Sequence, residues 1–228
     1  MRPRSSSSTS PTTAVLLDVD GTLVDSNYHH TLAWGRAFAR YDLTPSLWRV
    51  HRHIGMGGDQ LVEAVAGREA EDKHGSELRD AWVEEFDAML QEIHAVPRAT
   101  ELLQALRERG WPVVLATSGK PHHVDRFLDL LDARDLLTGW TTSEDVEETK
   151  PATDLIQTAL GVAKAERGIM VGDSRWDFVS SQRAGVPGVG LLTGGFSREE
   201  LREAGADEVH ADLDALIDAL DDSLLRAP

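Results

Sequence analysis

AVLLDVDGTLVDS, residues 14–26, begins as an unbroken apolar run and sets Asp18, Asp20 and Asp25 close together where that run gives out. The apolar part, AVLLDV at 14–19, is short and contains β-branched valine, so it reads as a buried strand. On an extended chain residues i and i+2 project to the same side, about 6.6 Å apart, so Asp18 and Asp20 would face one site. Two carboxylates so placed repel unless a proton or a cation comes between them. Gly21 permits a sharp turn, and the Thr22 hydroxyl can hydrogen-bond locally. A calcium loop of the D-x-D-x-D-G type does not fit, because the glycine comes fourth here instead of sixth. An acidic turn capping a helix and a metal-dependent or catalytic centre remain open on this stretch alone.

The same strand form recurs at WPVVLATS (111–118), GIMVGDS (168–174) and GVGLLTGG (188–195), and more weakly at TGWTTS (138–143). Between these runs, PRATELLQALRERG (97–110) puts Leu102, Leu103 and Leu106 on one helical face and stops at Gly110. KPATDLIQTALG (150–161) predicts a helix with Pro151 in its first position and Gly161 at its end, and DSRWDFVSSQRAG (173–185) predicts another. Buried strands alternating with amphipathic helices imply an α/β fold with a parallel sheet covered on both faces. From 27 to 96 the rhythm changes. Trp34, Ala37, Phe38 and Tyr41 follow helical spacing, as do Leu78, Trp82, Phe86, Leu90 and Ile93, and no strand stands out. The expected organisation is a disordered tail over 1–12, a core built from 13–26 and 97–222, and a helical segment, 27–96, inserted after the first strand.

Composition narrows the function. The 228 residues are 41% hydrophobic and carry a formal net charge of −16, with no cysteine. Nucleic acid and anionic membrane surfaces are poor partners for such a chain, since both are bound through concentrated positive charge. Without cysteine there is no disulfide and no thiolate metal site, which suits a cytoplasmic protein. No apolar run approaches the ~20 residues of a membrane span. No heptad seam shows, which leaves monomer and homodimer both open.

Three further strand ends carry chemistry-bearing residues. VVLATSG ends in Thr117 and Ser118, followed by Gly119, whose backbone can approach an anion. Lys150 stands before Pro151 and is thereby kept out of the helix that follows. VGDSRWD supplies Asp173 and Asp177. Ligands of open α/β sheets bind beyond the carboxyl ends of the strands. Asp18 and Asp20, Thr117 and Ser118, Lys150, and Asp173 and Asp177 delivered to one such edge look like a magnesium-assisted phosphoryl-transfer site.

These four motifs resemble those of the haloacid dehalogenase superfamily, whose D-x-D-G-T corresponds to Asp18 through Thr22 and whose G-D-x-x-x-D corresponds to Gly172, Asp173 and Asp177. The resemblance implies a Rossmann-like core, with the insert as a small α-helical cap, and Mg2+ as cofactor. It implies that Asp18 is the nucleophile and Asp20 the acid/base. It further implies that Thr117 and Lys150 hold phosphate, alongside Asp20, Gly21, Ser118 and Gly119. The metal would be bound by Asp18 and Asp173, with Asp20 contributing its carbonyl and Asp177 acting indirectly.

Asp20 argues against dehalogenation, whose enzymes lack an acid/base aspartate there, and the absence of lysine from HRHIGMGGDQLV (51–62) argues against phosphonate cleavage. Hydrolysis of a small phosphorylated metabolite is the expected reaction, as in phosphoglycolate phosphatase-like members. A β-phosphoglucomutase-like mutase is the alternative, and an inactive binding module a more distant one. Within the insert, His51, Arg52 and Gly55 are candidate substrate contacts. His51 with His53, and His122 with His123, lack a third ligand at metal-binding spacing. Trp176, in the fourth motif, is expected to pack beside the sheet.

Overall fold

Thr13–Leu17, β1, runs through the middle of a six-stranded parallel sheet. The computed structural model describes residues 12–145 and 149–227, so all but the last residue of the expected 1–12 tail lies outside the described residues. After β1 come α1 (Asn27–Ala39), α2 (Leu47–His51), α3 (Gly58–Ala66) and α4 (Arg68–Asp87). Then follow α5 (Ala99–Glu108), β2 (Val113–Leu115), α6 (Pro121–Leu130), β3 (Gly139–Trp140) and α7 (Asp154–Ala163). The chain closes with β4 (Arg167–Gly172), α8 (Arg175–Arg183), β5 (Gly188–Leu191), α9 (Arg198–Ala204), β6 (Glu208–His210) and α10 (Leu213–Asp218). The strand order is β3-β2-β1-β4-β5-β6, with Val15 opposite Val113 on one side and Ile169 on the other.

Pleating explains the unbroken apolar runs. Val15 and Leu17 face the helices α5, α6 and α10, while Ala14 and Leu16 face α7, so both faces of β1 are covered from Ala14 to Leu17. α1 to α4 close a separate apolar cluster around Trp34, Phe38, Leu61, Val62 and Leu78. Phe86, Met89 and Ile93 instead join the main core beside β1. The inserted segment is therefore rooted in the core at its C-terminal end. No helix among the described residues is long and apolar enough to cross a membrane.

Three sequence expectations change. The stripe from Leu78 to Ile93 is one helix only as far as Asp87; a short 3-10 turn, Leu90–Glu92, follows. The helix expected to begin at Pro151 begins at Asp154 and runs past Gly161 to Ala163. The reason lies in α8: Arg183 donates to the Pro151 carbonyl at 2.7 Å and Ser180 to that of Ala152, so two acceptors that would open a helix are already taken. The strand at Glu208–His210 was not foreseen, since its three residues offer no apolar run.

Candidate active site

Asp18 follows β1 directly and extends its ladder, its N–H donating to the Val171 carbonyl at 2.9 Å. Asp173 follows β4, and Thr117 lies two residues beyond β2. Lys150 comes from the loop after β3. All four thus reach the carboxyl edge of the sheet and are buried. The Lys150 Nζ contacts Asp18 Oδ1 and lies 2.6 Å from Asp177 Oδ1. Asp18, Asp173 and Asp177 each bring an oxygen within 4.8 Å of the others.

Asp177 is doubly employed. Its Oδ2 accepts from the Ser174 N–H at 3.0 Å and the Ser174 hydroxyl at 2.7 Å, part of a capping box that starts α8. Its Oδ1 faces the lysine. Asp173 is held by Thr22, whose hydroxyl donates to Oδ1 at 2.9 Å, and by Asn27, whose Nδ2 donates to Oδ2 at 2.7 Å. Thr22 therefore reaches across the fold and does not merely close its own turn. Gly21, at φ +79°, has no room for a side chain: a Cβ there would collide with Asn27 and Asp173. Gly194 is constrained the same way by Asp173.

One lysine cannot neutralise three buried carboxylates. Burial pushes the Asp18 carboxyl well above its ordinary value; Lys150 opposes this, while Asp177, Asp173 and Asp20 add to it. Burial, reinforced by Asp177, pushes Asp173 up to about 7. Burial alone would lower Lys150, but Asp177 and Asp18 outweigh it and hold the ammonium protonated. The surplus negative charge and the all-oxygen donor set fit a hard divalent cation such as magnesium.

The Asp20 carboxylate is not part of that cluster. β1 ends at Leu17, and the Gly21 N–H donates to the Val24 carbonyl at 2.7 Å as the chain turns. Asp20 Oδ1 is thereby brought to the Ser26 hydroxyl and to His30 Nε2, the latter at 2.9 Å. Burial alone would raise this carboxyl; the His30 charge and the hydrogen bonds from His30 and Ser26 outweigh it and lower the group. Of the expected metal residues, Asp20 is thus the one whose side chain is engaged elsewhere.

Asp18, Asp20, Thr117, Ser118, Gly119 and Lys150 line one cavity of about 290 Å³. The inserted segment forms its opposite wall, including Trp34, Trp82, Gly55 and Arg79. The Gly119 N–H, expected to meet an anion, donates instead to Thr117 Oγ1 at 2.9 Å, which leaves the Thr117 hydroxyl proton available. Thr141 fixes that turn: its hydroxyl donates to the Thr117 carbonyl at 2.8 Å and accepts from the Thr117 N–H at 3.1 Å.

His51 and Arg52 are not among the cavity residues. His51 stacks on Tyr28 at 4.9 Å, and Arg52 pairs with Glu200 and covers the Phe196 ring at 4.2 Å. Trp176 does not lie beside the sheet; its indole N–H donates to the Arg52 carbonyl at 3.3 Å. His51 also stacks against Phe196 at 6.2 Å, so these residues join the inserted segment to α8, to α9 and to the loop before α9. His30 and Arg79 were missed in the sequence, where each is one polar residue on a helix with nothing local to distinguish it.

Comparison with known proteins gives concordant results. The family model described as haloacid dehalogenase-like hydrolase matches residues 15–191. Validoxylamine A 7'-phosphate phosphatase of Streptomyces hygroscopicus subsp. limoneus is 27% identical over 192 residues, 78% of this chain and 84% of that protein. Pyrophosphatase PpaX of Bacillus thuringiensis strain Al Hakam is 29% identical over 183 residues, 75% of this chain and 79% of its own. The crystal structure of a hydrolase from Pseudomonas syringae superposes with a TM-score of 0.86 at 31% identity, covering 92% of this chain and 98% of that one.

Proposed function

This chain belongs to the family of haloacid dehalogenase-like hydrolases, and we propose that it is a magnesium-dependent phosphatase acting on a small phosphorylated metabolite. The observation that carries this is the Asp18–Lys150–Asp177–Asp173 cluster, with Asp18 and Lys150 opening onto the same cavity as Asp20 and Thr117. The phosphatases named among its relatives are consistent with it.

Asp18 and Asp173 would hold the magnesium ion, with Asp177 close by. When bound, the ion supplies charge neutralisation that lets an anionic carboxylate approach an anionic phosphoryl group. Lys150 orients Asp18 by holding Oδ1. The free Thr117 hydroxyl proton and the Lys150 ammonium are placed to hold phosphoryl oxygens.

A carboxylate oxygen of Asp18 attacks phosphorus, the ester P–O bond breaks, and the leaving oxygen takes a proton from Asp20. Asp20 then takes a proton from water, which attacks the same phosphorus; the bond to Asp18 breaks and inorganic phosphate leaves. The lowered Asp20 carboxyl suits the second step. For the first, the arriving phosphate dianion raises it by like-charge repulsion, in the direction an acid requires. Residues 27–96 serve as a cap over the cavity in this reading.

Phosphate release from a panel of phosphorylated metabolites, with magnesium or with chelator, tests the proposal. The expected result is release that requires both magnesium and Asp18. Full activity of Asp18→Asn, or release unaffected by chelator, would overturn it.

A further inference from the structure

We propose that Asp87, His122 and His123 form a second metal site, which takes a borderline divalent ion such as zinc or cobalt and ties the inserted segment to the core. Asp87 is the last residue of α4, and the two histidines lie in the first turn of α6. Sequence spacing offers the histidines no third ligand, but the fold brings one from 35 positions away. Both imidazoles direct Nε2 at the same oxygen, Asp87 Oδ1, at 2.9 and 2.6 Å. The three ligand atoms all lie within 4.8 Å of one another.

Two imidazole nitrogens and one carboxylate oxygen are the donor set of zinc sites that keep a fourth position open. Magnesium prefers oxygen ligands, so the two clusters would sort metals by ligand chemistry. Bonds of about 2.0–2.1 Å to a tetrahedral ion set ligands about 3.3 Å apart, so these atoms must open by about half an ångström. The site permits that. The His123 side chain is only 2% exposed and packs edge-on against Phe86 at 4.8 Å, so its position is set. The Asp87 and His122 side chains are 41% and 53% exposed and are free to turn. Binding needs each ring proton on Nδ1, which frees the Nε2 lone pair; hydrogen bonds to Asp87 are exchanged for bonds to the ion.

The position gives such an ion a consequence. Phe86, next to Asp87, stacks on His30 with 3.9 Å between ring centroids, and His30 holds Asp20. An ion here would pin the end of α4 to α6 and steady the wall behind His30.

Cobalt titrated into the full chain under saturating magnesium tests this by visible absorption and calorimetry, independently of turnover. One equivalent is expected to bind with the d–d bands of a nitrogen-containing site. His122→Ala, at an exposed position, and Asp87→Asn are each expected to weaken binding by more than about 100-fold. Asp18→Asn and His53→Ala are expected to leave it unchanged, and zinc to raise the melting temperature of the natural chain but not of His122→Ala. Absence of the one-equivalent event, equal affinity in His122→Ala, or loss of cobalt in Asp18→Asn would overturn the proposal.

Discussion

Lys150 is the cation partner of Asp18 and Asp177, and its removal leaves buried carboxylates uncompensated. Breaking a buried pair from one side costs about 3–5 kcal/mol, so Lys150→Ala should destabilise the metal-free protein by that order at neutral pH in urea unfolding. The loss should shrink in mild acid, where Asp18 and Asp173 take up protons. Asp18→Asn should behave oppositely. It removes a carboxylate whose charge burial disfavours, so its metal-free melting temperature should equal or exceed that of the natural chain, while turnover falls by at least about a thousandfold. His30 acts through Asp20. Without its charge and hydrogen bond the Asp20 carboxyl rises, so His30→Gln should move to higher pH the acidic limb of aspartyl-phosphate breakdown, the step in which Asp20 is the base, measured in single turnover. A merely structural role for His30 would lower activity without moving that limb.

At the scale of elements, α8 couples its own start to the site. The Asp177 that caps it also holds Lys150, so Ser174→Ala should cost about 1 kcal/mol in urea unfolding and reduce phosphate release as well. Equal activity with lowered stability would separate the cap from the site. The loop bearing Lys150 is clasped from the insert: Thr149 donates to Asp59, and Gln60 donates to the Thr149 carbonyl at 3.0 Å. Most elements were legible because their apolar periodicity is local, as in α5, whose Leu102, Leu103 and Leu106 are all fully buried. The start of α7 was not, because side chains from α8 claim its first carbonyls. Nor was β6, whose place is set by pairing with β5 and not by its own residues.

For the whole molecule, the surplus of buried carboxylates predicts how pH and metal act together. Asp173 is pushed up to about 7 from an ordinary 3.8, so between these values the folded chain keeps a proton that the unfolded chain has released. Metal-free stability should therefore fall as pH rises through that interval, by an amount of the order of a few kcal/mol. Asp20, lowered from 3.8, works in the opposite sense but only in stronger acid. Magnesium, which competes with that proton, should raise the melting temperature more at about pH 8 than at about pH 5.5. An equal magnesium effect at both values would remove Asp173 from the metal-binding set. The sequence by itself determined the alternation of strand and helix and which residues stand at the sheet's carboxyl edge. Those signals are periodicities and strand-end motifs carried by neighbouring residues. Only the tertiary structure decided that Asp20 turns to His30, that Thr22 and Asn27 hold Asp173, that His51 and Arg52 join the insert to the core, and that Asp87 meets His122 and His123. No local pattern in the sequence links the partners of these contacts, and the fold alone brings them within bonding distance.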